Sequence, residues 1–110
     1  MGLVKSEIFT ERQNEISNLA KALGHPARVA IIQQLFKIQG CICGDLVTEI
    51  GLAQATISQH LKELKSVGLI KGKIEGTSVC YCIDLEKWAE LKRIFGEFLN
   101  QDITINTKCC

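Results

Sequence analysis

Apolar residues recur at helical spacing over residues 6–23, where Ile8, Ile16, Leu19 and Leu23 line one stripe and charged residues fill the rest. The stretch "LGHPAR" breaks this pattern. Gly24 suits the position just past a helix end, and Pro26 suits the first turn of a new helix. "PARVAIIQQLFKI" predicts that second helix, with Val29, Ile32, Leu35 and Phe36 inward. "CGDLVTEIG" predicts a short third helix ending near Gly51. "AQATISQHLKELKSVG" predicts a fourth, with Ile57, Leu61 and Leu64 on one face and Gly68 closing it. Only about three or four residues separate these two, the turn of a helix-turn-helix. Beyond Gly68 the period drops to two. "LIKGKI" and "SVCYCI" predict two strands joined by the turn "EGT". Val79, Tyr81 and Ile83 alternate with Ser78, Cys80 and Cys82, so both cysteines share the opposite face. Asp84 caps a last helix, "LEKWAELKRIFGEFLNQ". Its stripe of Trp88, Leu91, Ile94, Phe95, Phe98 and Leu99 is wider than one small core needs. The expected fold is mainly α with a small β-hairpin: a winged helix-turn-helix with flanking N- and C-terminal dimerisation helices. It occupies residues 1–100, followed by a polar tail, residues 101–110, that ends in the pair Cys109 and Cys110.

Composition changes this picture in two ways. A chain of 110 residues fits one compact domain whose core is modest, which favours a core shared with a second copy. Its formal net charge of +1 does not advertise nucleic-acid binding, but total charge leaves room for a local basic patch. No long apolar run suggests a membrane span, and the N-terminus is too polar for a secretory signal. The expected location is the cytoplasm, where thiols stay reduced. The six cysteines are too few for a disulfide-stapled scaffold, so ligands, redox groups or fillers are expected rather than crosslinks. No C-x-x-C lies near a βαβ pattern, and neither histidine has an obvious acidic orienter. No enzyme and no organic cofactor are expected.

In a helix-turn-helix the second helix enters the major groove of double-stranded DNA, and its N-terminal residues reach base edges. Here these are Gln54, Ala55, Thr56, Ser58 and Gln59. Gln pairs with adenine, Ser and Thr bond to several edges, and the Thr methyl meets thymine. Lys62, Lys65, Lys71 and Lys73 are placed for phosphates, which set register rather than sequence. A solvated polar face is the plainer reading of such a helix alone; the short turn and the following wing favour DNA. Ala53 stands where Ser or Thr would cap the recognition helix.

The segments "LGHPARVAIIQQL", "QATISQHLKELKSVGLI" and "KIEGTSVCYCI" resemble the ArsR/SmtB family of metal-sensing repressors over roughly residues 15–95. The resemblance implies a homodimer built from the first and last helices. It also implies operator DNA as partner, bound without ligand and released when a toxic metal ion binds. His60 matches the family's recognition-helix histidine, with a packing or phosphate role expected. His25, beside Pro26, is expected to be structural. Some members bind zinc through His and carboxylates of the last helix; that helix has no His here, so zinc or nickel sensing there is not expected.

"CICGDL" is similar to the "CVCDL" box of the family's arsenic and cadmium sensors, with Gly44 added between Cys43 and Asp45. Thiolates select soft ions. Residues i and i+2 do not face each other on a helix, but in an extended segment they share a side, roughly 6.6 to 7 Å apart. Cys41 and Cys43 can thus hold one ion only if the helix start is extended or unwinds. Gly40 and Gly44 ease that change, so ion binding is expected to distort the helix supporting the recognition helix. The resemblance implies As(III) or Sb(III), each taking three thiolates. The third is assigned first to Cys109 or Cys110 on the tail, with both tail thiols plus one of Cys41 and Cys43 as the reverse arrangement. The spacing of Cys80 and Cys82 could also bind a soft ion, but the resemblance implies a wing far from this helix pair, so a pair of small half-exposed residues is the expectation there. The alternative on the same scaffold is a redox-responsive repressor whose thiols oxidise to disulfides.

Overall fold

A computed structural model describes residues 8–43, 50–76 and 78–103. Among them the order is α1 (Glu11–Ala22), α2 (Pro26–Ile38), α3 (Gln54–Ser66), β1 (Ile70–Glu75), β2 (Ser78–Ile83) and α4 (Leu85–Leu99). The expected third helix falls mainly on residues 44–49, outside the described residues. Cys109 and Cys110 also lie outside them. The winged-helix order of the rest is as expected.

Local chemistry sets the boundaries. Thr10 caps α1 by accepting from Gln13 N at 3.0 Å, while Gln13 Oε1 accepts from Thr10 N at 2.9 Å. This capping box starts α1 at Glu11, later than the apolar stripe alone implies. Ile8 consequently stands outside it and is exposed. At the start of α2, His25 Nδ1 accepts from Ala27 N at 3.0 Å, and Pro26 follows at the first helical position. Ala53, as expected, provides no side-chain cap for α3. Gly68, at φ 81°, ends α3. Its N–H donates to Lys65 O, and that of Leu69 donates to Leu64 O, while both leucine side chains are fully buried. That pairing is a Schellman closure with its apolar contact. Asp84 caps α4 by accepting from Lys87 N at 3.1 Å.

One core joins all these elements. Leu19, Ile31, Ile32, Leu35, Ile57, Leu61, Leu64, Leu69, Ile70, Leu91 and Ile94 pack together. Val29, expected inward, is instead 41% exposed, and Ile31 takes the central place at 0%. The reason is angular: α2 buries 31, 32 and 35, and position 29 falls on the far side of that stripe. Phe98 and Leu99 close the wide stripe of α4 but lie exposed, as does Phe9 beside α1. Arg12 of α1 reaches Glu97 of α4 at 3.6 Å, a surface ion pair of small energetic weight.

The sheet holds the main departure from the sequence reading. β1 and β2 pair antiparallel, with Lys71 opposite Cys82, Gly72 opposite Tyr81 and Lys73 opposite Cys80. Ile42 then pairs with Tyr81 on the other edge of β2, exchanging both backbone hydrogen bonds at 2.9 Å. The segment Cys41–Cys43 therefore lies extended beside the wing. Ile42 is buried in the core and Tyr81 packs against it. The cysteines flanking each point to the opposite face.

Candidate DNA interface and thiol site

The N-terminal half of α3 presents Gln54, Ala55, Thr56, Ser58 and Gln59 to solvent, while Ile57 on its other side is buried. Lys62 and Lys65 continue the exposed face, and Lys71 and Lys73 stand exposed on β1. Lys65 bends toward the wing: its Nζ lies 3.4 Å from the position a Cβ would take at Gly72. The side chains expected to meet bases and the lysines expected to meet phosphates are thus solvent-facing on two adjacent elements. His60 is the exception, at 7% exposure.

His60 belongs to a polar joint that makes physical sense of "HPAR". Arg28 Nε donates to His60 Nδ1 at 3.2 Å, and Arg28 Nη1 donates to Lys21 O at 3.2 Å and Ala22 O at 3.1 Å. One guanidinium thereby donates to two carbonyls at the end of α1 and ties them to α3. The rings of His25 and His60 lie 4.4 Å apart. Sequence reasoning missed Arg28, although its place three residues past a helix-starting histidine was visible. Arg28→Ala is expected to cost about 1–3 kcal/mol, since the part-buried Ala22 carbonyl and the His60 ring lose their donor. A denaturant melt with unchanged m checks it.

Burial holds the His60 pKa below its ordinary 6.5, with the charges of His25 and Arg28 acting the same way and Glu63 opposing them. Accepting from Arg28 also requires a neutral ring. Because the unfolded chain takes up this proton first, the stability contribution is whole above about pH 6.5. It is lost as pH falls through 6.5 toward the folded-state value. The expected result is a melting temperature that drops below pH 6.5, and drops less in His60→Asn, whose Oδ1 still accepts from Arg28 but does not titrate.

Four cysteines meet on one sheet face. Cys41 is disulfide-bonded to Cys82 and Cys43 to Cys80, with Cα separations of 4.4 and 4.2 Å. This corrects two expectations. The wing cysteines are not remote from Cys41 and Cys43, because Ile42 between the latter two is bridged to Tyr81 of the wing. Nor are these four sulfurs unlinked, since each is seated directly across from a partner. Cys80 is also fully buried rather than half-exposed. The extended geometry that two thiols at i and i+2 require is present without any helix unwinding. With the sulfurs paired, no group of three or more His, Cys, Asp and Glu among the described residues is placed to hold a metal ion. The signal for the meeting was present in sequence: two C-x-C units, each suited to putting both sulfurs on one side of a strand.

A cleft of about 500 Å³ opens beside this face, lined by Cys41, Cys82, Lys71, Lys73, Phe36 and Leu85 among others. Among the described residues no helix is long and apolar enough to cross a membrane.

Comparison with known proteins agrees with the architecture. The model of the arsR family of bacterial regulatory proteins matches residues 25–71. The transcriptional repressor SmtB of Mycobacterium tuberculosis is 41% identical over 63 residues, which are 57% of this chain and 46% of that protein, so the match spans about half of its length. The biofilm growth-associated repressor of Xylella fastidiosa is 32% identical over 85 residues, 77% of this chain and 74% of that one. A crystal structure described as a possible transcriptional regulator for arsenical resistance superposes with a TM-score of 0.66 at 26% identity, covering 74% of this chain and 83% of that chain. The exposed α3 face, the wing and these relatives lead to one assignment: the chain belongs to the ArsR family of bacterial regulatory proteins.

Proposed function

We propose that this chain is a DNA-binding transcriptional repressor, released from its operator when a soft thiophilic ion, arsenite or antimonite, binds its cysteine thiolates. The carrying observation is the position of Cys41 and Cys43. Their thiols share one side of an extended segment that leads toward the recognition helix, so chemistry at sulfur acts on the DNA-reading element. The relative named for arsenical resistance supports the choice of ion. In the reducing cytoplasm that this reading requires, both disulfides open to thiols. The protein acts as a homodimer through α1 and α4; the exposed apolar side chains of Phe98 and Leu99 on α4, and of Phe9 just before α1, support this reading. Two recognition helices then meet successive major grooves of a palindromic site. The tail thiols Cys109 and Cys110 remain candidate donors from residues 101–110.

A second reading is favoured by the two disulfides themselves: oxidation of the thiols, rather than an ion, changes operator affinity. Fluorescence anisotropy on promoter DNA separates the two. Arsenite acting on reduced protein is expected to release it, whereas release by peroxide alone, reversed by a dithiol, supports the redox reading. Binding is also expected to weaken steeply with salt, and Lys62→Ala or Lys71→Ala is expected to reduce the log–log salt slope by about 1.

A further inference from the structure

We infer that Cys80 and Cys82 of the wing, not Cys109 and Cys110, complete the ion site begun by Cys41 and Cys43. The inference rests on the thiol-responsive reading above and specifies its donors. In antiparallel pairing, residues directly opposite project to the same face. Cys41 faces Cys82 and Cys43 faces Cys80 across one edge of β2, and Lys71 and Lys73 face the same two wing cysteines across the other. One face of the sheet therefore carries four sulfurs in two rows, bordered by two lysines. Cross-strand Cα separations are 4.4 and 4.2 Å, and neighbours along a strand lie roughly 6.6 to 7 Å apart. Cations beside thiols favour the thiolate, the form that binds an ion.

The face also selects the kind of ion. All four donors project to one side of the sheet, and Cys41 and Cys82 line the cleft there, so an ion entering the cleft meets sulfur from one side. A tetrahedral ion such as zinc needs donors on every side. Trivalent arsenic or antimony takes three thiolates in a pyramid and directs its lone pair away from them, which suits a one-sided platform. Three of the four sulfurs serve, drawn from both strands. Opening the two disulfides consumes four electrons and four protons, supplied by two molecules of a dithiol reductant that become disulfides. Arsenous acid then exchanges three As–OH bonds for three As–S bonds. The three thiol protons leave with the three hydroxides as water, and arsenic stays trivalent. The product staples the segment leading to the recognition helix onto the wing, the two elements that carry the DNA-facing residues.

The test is thiol footprinting of the full-length reduced chain by alkylation and mass spectrometry, with and without sodium arsenite. Arsenite binding and promoter binding are measured in parallel on wild type, Cys82→Ser, Cys80→Ser/Cys82→Ser and Cys109→Ser/Cys110→Ser. The expected result is protection of Cys41, Cys43 and at least one wing cysteine. Loss of both wing thiols is expected to weaken arsenite binding by more than roughly 10-fold, while Cys82→Ser, at the less buried wing position, is expected to leave promoter affinity in the absence of arsenite unchanged. Loss of the tail pair is expected to change neither. Footprinting of wild type needs no variant, so poor folding of the double variant does not remove the test. Protection of Cys41 and Cys43 together with Cys109 or Cys110, the wing thiols remaining reactive, would overturn the inference and leave the proposed function standing. Arsenite that neither protects any thiol nor releases DNA would overturn both.

Discussion

Serine at both Cys41 and Cys43 is expected to leave the reduced protein on its operator at arsenite concentrations that release the wild type. Allosteric coupling between two ligands on one protein is typically 1–3 kcal/mol, about a 5- to 150-fold change in affinity. Removing both thiols from the extended segment should bring that factor to about 1. Operator affinity without arsenite should hardly move, because both cysteines lie on the sheet face opposite Ile42, which alone of the three is in the core. The double variant separates the proposed sensing step from operator binding. Anisotropy titrations of both proteins, under a dithiol, measure the two factors side by side. A double variant that is still released as readily as the wild type would remove these cysteines from the mechanism.

The second large effect is structural. Leu64→Ala is expected to cost about 2–5 kcal/mol, the range for a fully buried leucine whose cavity cannot collapse. Leu64 serves twice: its side chain anchors α3 in the core, and its carbonyl receives the Leu69 N–H that closes the helix. At about 4–8 °C per kcal/mol for a domain of this size, the melting temperature should fall by roughly 10 °C or more. Promoter affinity should fall with it, since the recognition helix has no N-terminal side-chain cap and depends on this packing. Val29→Ala, a truncation of similar chemistry at an exposed site of α2, should change the melting temperature little.

What the sequence disclosed follows from how local each signal is. Ile57, Leu61 and Leu64 fix α3 by spacing alone. Asp84, Pro26 and Gly68 mark boundaries through chemistry that acts within a few residues. The start of α1 lies later than the apolar stripe implies because Thr10 and Gln13 form a reciprocal cap, a signal as local as the others. Val29 and Ile31 were misjudged because a helix rich in apolar residues does not itself say which stripe faces inward. The pairing of residues 41–43 with the wing is not legible for a deeper reason. It is held by the Ile42–Tyr81 bridge, a pairing across distant parts of the chain, and no periodicity within three residues announces it. The thiol site inherits that difficulty. Each C-x-C could be read as two thiols sharing a side, but their meeting depends on tertiary pairing. The solvent-facing residues proposed to read DNA are easier, since Gln54 through Gln59 belong to one helix whose buried side Ile57, Leu61 and Leu64 fix.

If ion and operator compete through one conformational equilibrium, linkage makes that competition directly measurable. Arsenite is titrated into the reduced protein twice, once free and once saturated with its promoter DNA, and the two affinities are compared. If thiol binding releases the operator, arsenite must bind the DNA complex more weakly, by the same factor by which it weakens DNA binding. Equal arsenite affinity in the two titrations would contradict the account, leaving a DNA-binding protein whose clustered thiols serve something other than release.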